Sequence, residues 1–478
     1  MTNPRYATTL QLHIDAEWID AGDRATHDVV NPATGETLGA LPLAKADDLD
    51  RALDAAARGY PIWRAKTADE RAAVLMTAAR LMRERGDRIA TIATLEQGKP
   101  LGEAKGELAY AAALTEWYAG EAKRIYGRVL VRPAGARSLV VHEPVGPTVA
   151  FCPWNFPILN PVRKAAPAVA AGCSMIVKPP EEAPASAIEV LRCFIDAGLP
   201  AGVLGIVFGV PDQVSRHLIA SPITRKISFT GSVPVGKLLM KLAAEGMKRT
   251  TMELGGHSPV LVFDDCDLER TIGLVTAAKF RNAGQVCVSP TRFYVQEGIY
   301  DAFAKAFVER TEALHVGDGL LEGTQMGPLA NPRRPDAIEA MVDEAKAAGA
   351  RVAAGGERGE GGFFYRPTVL LDVPIGARAM NEEPFGPLAL MRPFKTLDEA
   401  VEQANRLPYG LAAYCFTENG KRQLLLGSAI EAGMIGINHM ALSAVDAPFG
   451  GVKESGHGSE DGPEGLEAFL VTKTIHQS

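Results

Sequence analysis

Three short stretches of this chain carry the residue types of covalent carbonyl chemistry. Phe280-Arg281-Asn282-Ala283-Gly284-Gln285-Val286-Cys287-Val288-Ser289-Pro290 offers a thiol, Met252-Glu253-Leu254-Gly255-Gly256 a carboxylate and Pro153-Trp154-Asn155-Phe156-Pro157 an amide. A thiol attacks an aldehyde carbon, a carboxylate takes protons, and a rigid amide donates to the oxyanion that forms. These are the parts of an aldehyde oxidation that passes through a thioester. A free cysteine is ordinarily a small buried hydrophobe, and Cys173 and Cys193 read that way from their apolar runs. Cys287 stands apart because Gly284 permits close backbone approach while Asn282 and Gln285 bring polar groups. Glu253 precedes two glycines, which let it lie near a ligand, and Asn155 is held between aromatic residues and prolines.

Composition limits what such a site could serve. The 478 residues are 47 % hydrophobic and 22 % charged with a net charge of −7, a balance for a globular protein of about two to four domains. No basic stripe marks a nucleic-acid partner. The 6 cysteines form no CxxC pair, so neither a metal site nor a disulfide framework is expected. Free thiols, an amino-terminal stretch without an apolar signal core and the lack of a bilayer-length apolar run predict a cytoplasmic protein with no membrane partner.

The elements that must position these residues follow from periodicity. From about Asp47 to Leu95 the pattern is helical, with Leu49, Leu53 and Ala56, then Leu75, Ala79 and Met82, on buried faces. From Val145 onward short apolar runs (147–151, 174–178, 205–208, 226–230) alternate with helical stretches (185–197, 213–220, 235–245). That alternation predicts right-handed crossovers and a parallel sheet, with ligands beyond the carboxyl ends of its strands. A second alternating region runs from about Pro259 to Leu442. Residues 127–143 read as an extended hairpin and 469–475 as one more strand, edges of the kind that pair with another subunit. Ser232 stands where it could cap the next helix, whose free N–H groups would face a phosphate.

With Phe229-Thr230-Gly231-Ser232 and Glu382-Glu383-Pro384-Phe385-Gly386-Pro387 added, five motifs fall in the order typical of the NAD(P)-dependent aldehyde dehydrogenases. The chain resembles that superfamily from Asn31-Pro32-Ala33-Thr34-Gly35 through Pro448-Phe449-Gly450-Gly451. The resemblance implies an α/β fold of two Rossmann-like parallel-sheet domains plus a small β oligomerisation arm. Residues 1–123 with 145–255 would bind NAD, 256–447 would form the catalytic domain, and 124–144 with 448–478 the arm and terminal strand of a homo-oligomer, dimer or tetramer. It implies Cys287 as nucleophile, Asn155 as oxyanion donor and Glu253 as the base that activates water. It places the cofactor on Trp154, Lys178, Glu181, Gly231, Ser232, Leu254, Glu383 and Phe385. Glu181 accepts from a ribose 2′-hydroxyl and repels a 2′-phosphate, which favours NAD over NADP.

Within that superfamily the chain is most similar to the succinate-semialdehyde and 2-oxoglutarate-semialdehyde dehydrogenases. Arg163, Arg281 and Ser443 match the residues that hold the substrate's distal carboxylate there, so a carboxylated aldehyde, foremost succinate semialdehyde, is the expected small-molecule partner. Guanidinium forks fit a carboxylate. Glutarate and 2-oxoglutarate semialdehyde, and a neutral or aromatic aldehyde, are alternatives within the same reaction. A CoA-acylating enzyme and a cysteine hydrolase using His257 are alternatives of another class. Ser289, where some relatives carry a second cysteine, removes the expectation of a redox disulfide at the nucleophile.

Overall fold

The computed structural model describes residues 5–478. Its largest sheet has eight strands. Five inner strands, Leu204–Ile206, Met175–Lys178, Thr148–Phe151, Lys226–Thr230 and Arg249–Glu253, run parallel. Leu204–Ile206, Met175–Lys178 and Thr148–Phe151 are buried along their whole length because helices cover both faces. Chain order runs outward from Thr148–Phe151 on one side and from Lys226–Thr230 on the other. The gap beyond the carboxyl ends of these two strands is therefore the switch point at which open α/β sheets bind ligands.

A seven-stranded sheet repeats the plan. Thr368–Leu371, Leu388–Phe394, Pro290–Gln296, Ser258–Val262, Ala412–Phe416 and Met434–Ile437 are parallel neighbours. Only Leu254–His257 joins Arg249–Glu253 to Ser258–Val262. The carboxyl end of a strand in the first sheet thus meets the amino end of a strand in the second. Each sheet has its own apolar core, one holding Val169, Val177 and Phe194, the other Val260, Phe293 and Leu390.

Both expected parallel sheets are present, and each also carries short antiparallel strands at its margins. The paired strands Leu12–Ile14 and Glu17–Ile19 join one end of the first sheet antiparallel and Gly456–His457 joins the other, and Arg351–Ala354 is antiparallel at the edge of the second. These edge strands are two to four residues long, too short for an alternating pattern to register. The expected hairpin is present as Arg128–Val131 and Arg137–Pro144, and Leu470–Gln477 pairs along the latter. The long helical region is three helices, Ala46–Arg64, Ala68–Glu84 and Gly86–Gln97. Thr67 starts the second with a capping box, and left-handed Gly98 (φ 95°) ends the third. Among the described residues no helix is long and apolar enough to cross a membrane.

Candidate active site

The helix Leu268–Phe280 delivers the chain to the candidate nucleophile. Beyond it Asn282 (φ 49°), Ala283 (φ 51°) and Gly284 (φ 71°) are all left-handed. Such backbone persists in non-glycine residues only where the surroundings over-determine it. Asn282 supplies that constraint. Its N–H donates to Glu103 (2.9 Å), its Nδ2 to the Asn155 carbonyl (2.9 Å), and its Oδ1 accepts from Gln97 (2.8 Å). Gln285 Nε2 donates back to the Asn282 carbonyl at 3.0 Å. The turn leaves Cys287 half-buried against Leu411, Met434 and Phe449.

Asn155 leaves the strand Thr148–Phe151 and enters the helix Leu159–Ala171. Its Nδ2 donates to the Gln285 carbonyl at 3.1 Å, which ties the amide to the nucleophile's own turn. A primary amide carries two N–H groups, so one is left to donate elsewhere. The backbone carbonyl of Asn155 accepts from Lys99 Nζ at 2.8 Å.

Two carboxylates flank these groups. Glu253 is buried, and among the described residues neither of its oxygens has a hydrogen-bond partner. Burial, then the charge of Glu460, holds its pKa well above the ordinary carboxylate value. Glu383 accepts the Gly256 N–H at 3.2 Å and is pushed up to about 8 by burial. A side chain at Gly255 would sit 2.3 Å from Glu383 Oε2, so the glycine lets the two segments meet. Burial also pushes the Cys287 thiol up to about 12, with Arg163 opposing and Glu383 and Glu253 reinforcing. Cys287 therefore needs a base to become a nucleophile, and an unpartnered carboxylate stands in its field. His257 cannot serve, because Thr291 Oγ1 (2.7 Å) and the Ala379 carbonyl (2.9 Å) occupy its two ring nitrogens.

A cavity of about 350 Å³ opens at the switch point, lined by Trp154, Lys178, Glu181, Gly231 and Ser232. Lys178 Nζ lies 2.5 Å from one Glu181 oxygen, and the other accepts the Gly209 N–H at 3.0 Å. A donor and an acceptor side by side suit a vicinal diol. Ser232 stands at the cap position of the helix Val233–Glu245 but makes no capping hydrogen bond with its side chain, which corrects that expectation and leaves the helix N–H groups open to an anion. The donor set therefore fits a dinucleotide. Leu254, Glu383 and Phe385 stand outside this cavity wall. Phe385 meets Trp154 edge-on at 5.4 Å, which links the two groups.

A model of the aldehyde dehydrogenase family matches residues 18–475. The chain belongs to that family. It is an oxidoreductase with aldehyde dehydrogenase activity, of a family that uses NAD(P). It is 50 % identical to the 4-(hydroxymethyl)benzenesulfonate dehydrogenase TsaD1 of Comamonas testosteroni, over 98 % of each chain. It is 46 % identical to the NADP(+) succinate-semialdehyde dehydrogenase GabD of Escherichia coli strain K12, over 97 % of this chain and 96 % of that one. The crystal structure of a Staphylococcus aureus betaine aldehyde dehydrogenase with NAD+ superposes with a TM-score of 0.96 at 33 % identity, over 98 % of this chain and 95 % of that one.

The expected substrate residues of this aldehyde dehydrogenase are not equivalent. Arg281 and Ser443 are exposed, whereas Arg163 is buried and paired with Asp461. Arg281 lies over the Phe156 ring at 5.2 Å and makes no salt bridge among the described residues. Tyr414, whose hydroxyl donates to the Val288 carbonyl at 2.6 Å, feels the charges of both Cys287 and Arg281. Sequence reasoning missed Lys99, Glu107, Arg334 and Asp461. Arg334 donates to the Pro384 and Phe385 carbonyls and so holds the Phe385 turn, where φ is 47°. These side chains act from positions far along the chain, and nothing in their own neighbours announces the contact.

Proposed function

We propose that this aldehyde dehydrogenase oxidises an aldehyde bearing a distal anionic group, a carboxylate or a sulfonate, through an acylated Cys287. Glu253 takes the proton as the Cys287 sulfur attacks the carbonyl carbon. The hemithioacetal oxyanion accepts from Asn155 Nδ2 and the Cys287 N–H. A bound nicotinamide dinucleotide supplies the two-electron acceptor that this oxidation needs. Lys178 and Glu181 would hold its ribose, and the Glu181 carboxylate favours NAD over NADP. Glu253 releases the first proton to solvent, then takes a proton from water as the water attacks the thioester, and returns it to the sulfur as the acid leaves. An unpartnered buried carboxylate serves water, which supports hydrolysis over transfer to CoA.

The distal anion rests on one observation. Arg281, at the start of the nucleophile's turn, is exposed and in no salt bridge among the described residues, beside the neighbour of Asn155. Succinate semialdehyde belongs to the class this supports. So does a sulfonated or carboxylated aromatic aldehyde, which the apolar wall around Cys287 accommodates. The domain division and a homo-oligomer built on the Arg128–Val131 edge belong to the same reading, supported by the exposure of Val129 and Val131.

Two measurements test it. In wild type quenched during turnover with aldehyde and NAD, mass spectrometry should find an acyl group on the peptide carrying Cys287, and an unmodified peptide during NADH production defeats the mechanism. Wild-type kcat/KM for 4-carboxybenzaldehyde should exceed that for benzaldehyde by about tenfold or more, and Arg281→Ala should erase the difference. Equal values defeat the anionic class.

A further inference from the structure

The helix Leu159–Ala171 carries two consecutive cations, Arg163 and Lys164, and the segment after Gly456–His457 carries two consecutive anions, Glu460 and Asp461. They meet as two buried pairs, Arg163–Asp461 at 2.7 Å and Lys164–Glu460 at 2.7 Å, with no side chain more than 7 % exposed. The first pair is bidentate: Arg163 Nε donates to Asp461 Oδ1 at 3.1 Å and Nη2 to Oδ2 at 2.7 Å. Tyr110 donates to the same carboxylate at 2.9 Å, and the Arg163 guanidinium lies 4.1 Å over Phe449.

Asp461 holds this position at φ 56° and ψ 179°, a backbone region essentially reserved for glycine. A glycine would sit there without strain. The carboxylate is kept in place by Arg163 and Tyr110. If Arg163 turned to a substrate, it would leave Asp461 as a buried uncompensated charge, the costly half of breaking such a pair. Phe449 joins this pair to the wall around Cys287, which is otherwise Leu411, Met434, Val288 and Leu442. Apart from the carboxylates Glu253 and Glu383, the wall around Cys287 is therefore apolar with Arg163 already engaged, and Arg281 at the rim carries a guanidinium in no salt bridge among the described residues.

We propose that Asp461 determines substrate selectivity by keeping Arg163 from the substrate, so that the preferred aldehyde has an apolar body, aromatic or long, and an anion that reaches Arg281. This rests on the anionic-aldehyde reading above and narrows it. Asp461 touches neither cofactor nor reacting atoms in that account; it acts through Arg163.

The test compares succinate semialdehyde, 4-carboxybenzaldehyde and benzaldehyde with NAD. In wild type, kcat/KM for 4-carboxybenzaldehyde should exceed that for succinate semialdehyde by about tenfold. Asp461→Gly should shift that ratio toward the short acid by about tenfold, chiefly through a lower KM, and benzaldehyde should not share the gain. A shift of less than about threefold overturns the inference, as does a wild type that prefers succinate semialdehyde. If Asp461→Gly does not fold, Arg163→Met with Asp461→Gly removes both charges together. That double variant should keep the preference for 4-carboxybenzaldehyde over benzaldehyde within about threefold of wild type, and a larger loss means that Arg163 already binds the substrate anion and overturns the inference. If wild type does not distinguish 4-carboxybenzaldehyde from benzaldehyde, the anionic-aldehyde reading itself has failed. The Asp461 inference fails separately, with that preference intact.

Discussion

Lys99 Nζ lies 2.8 Å from the main-chain carbonyl of Asn155 and 2.5 Å from Glu107 Oε2, all fully buried. The other Glu107 oxygen accepts the N–H groups of Ile158 (2.8 Å) and Leu159 (2.9 Å) at the start of the next helix. One buried ion pair thus grips the Asn155 turn at both ends. Lys99→Met leaves Glu107 uncompensated and should cost about 3–5 kcal/mol of stability. It should also lower kcat by about tenfold or more, since a displaced oxyanion donor loses most of its effect. Lys99→Met with Glu107→Leu should recover much of the stability but not kcat. Thermal melts and steady-state kinetics on the three proteins check both parts, and recovery of kcat along with stability would refute a positioning role.

The pH dependence of turnover should carry the signature of Glu253. Its carboxyl is buried without partners and titrates well above 4.5. A raised pKa keeps the proton on to higher pH, and only the deprotonated form can take a proton from water. The hydrolytic rate should therefore rise with pH, with a midpoint above the ordinary carboxylate range. Glu253→Gln should lower the rate by about a hundredfold and abolish that limb. Stopped-flow NADH traces from pH 5.5 to 9 would show it, and an unchanged limb in the variant would assign the titration elsewhere.

Gly284 offers a purely steric test. At φ 71° an added Cβ would lie 2.1 Å from the Gly386 carbonyl oxygen, in the segment that carries Glu383 and Phe385. Gly284→Ala must push the nucleophile turn away from that segment. It should lower melting temperature and raise KM for NAD together. Gly273, inside the Leu268–Phe280 helix with open space around it, is the control. Gly273→Ala should be neutral or stabilise by about 0.5–1 kcal/mol. Differential scanning of both variants decides, and a silent Gly284→Ala would contradict the packing described.

Much of this was legible in the amino-acid sequence, for identifiable reasons. Inner strands such as Thr148–Phe151 are buried on both faces and mostly apolar, so their runs stand out. Cys287, Glu253 and Asn155 each sit beside glycine, proline or aromatic residues that flag an unusual backbone. The supporting groups carry no such flag. Lys99 and Glu107 sit just beyond the helices that read as ordinary amphipathic packing, and periodicity cannot tell a buried ion pair from two solvated charges. Asp461 is harder still, because its left-handed backbone would be signalled by glycine and the chain has a carboxylate there instead. The antiparallel edge strands were invisible because two to four residues are too few to show a period.

Glu96 should make stability itself depend on pH. Its carboxyl is fully buried, accepts the N–H groups of Ala185 (3.0 Å) and Ser186 (2.8 Å) and the Tyr6 hydroxyl (3.0 Å), and is pushed up to about 7 by burial despite them. The unfolded chain releases this proton near the ordinary 4.5, while the folded chain keeps it to about 7. Between those values the folded state binds the extra proton, so stability from this group is greatest below the lower value. It falls by about 1.4 kcal/mol per pH unit until the upper one is passed. Glu96→Gln is uncharged at every pH and should flatten that decline. Its amide also turns an N–H toward a backbone donor, so its stability should be lower at acid pH, where the wild-type carboxyl is protonated. Chemical denaturation at half-unit steps from pH 5 to 8 measures the slope in both proteins. Parallel curves would place the proton uptake on another group and remove Glu96 from the account.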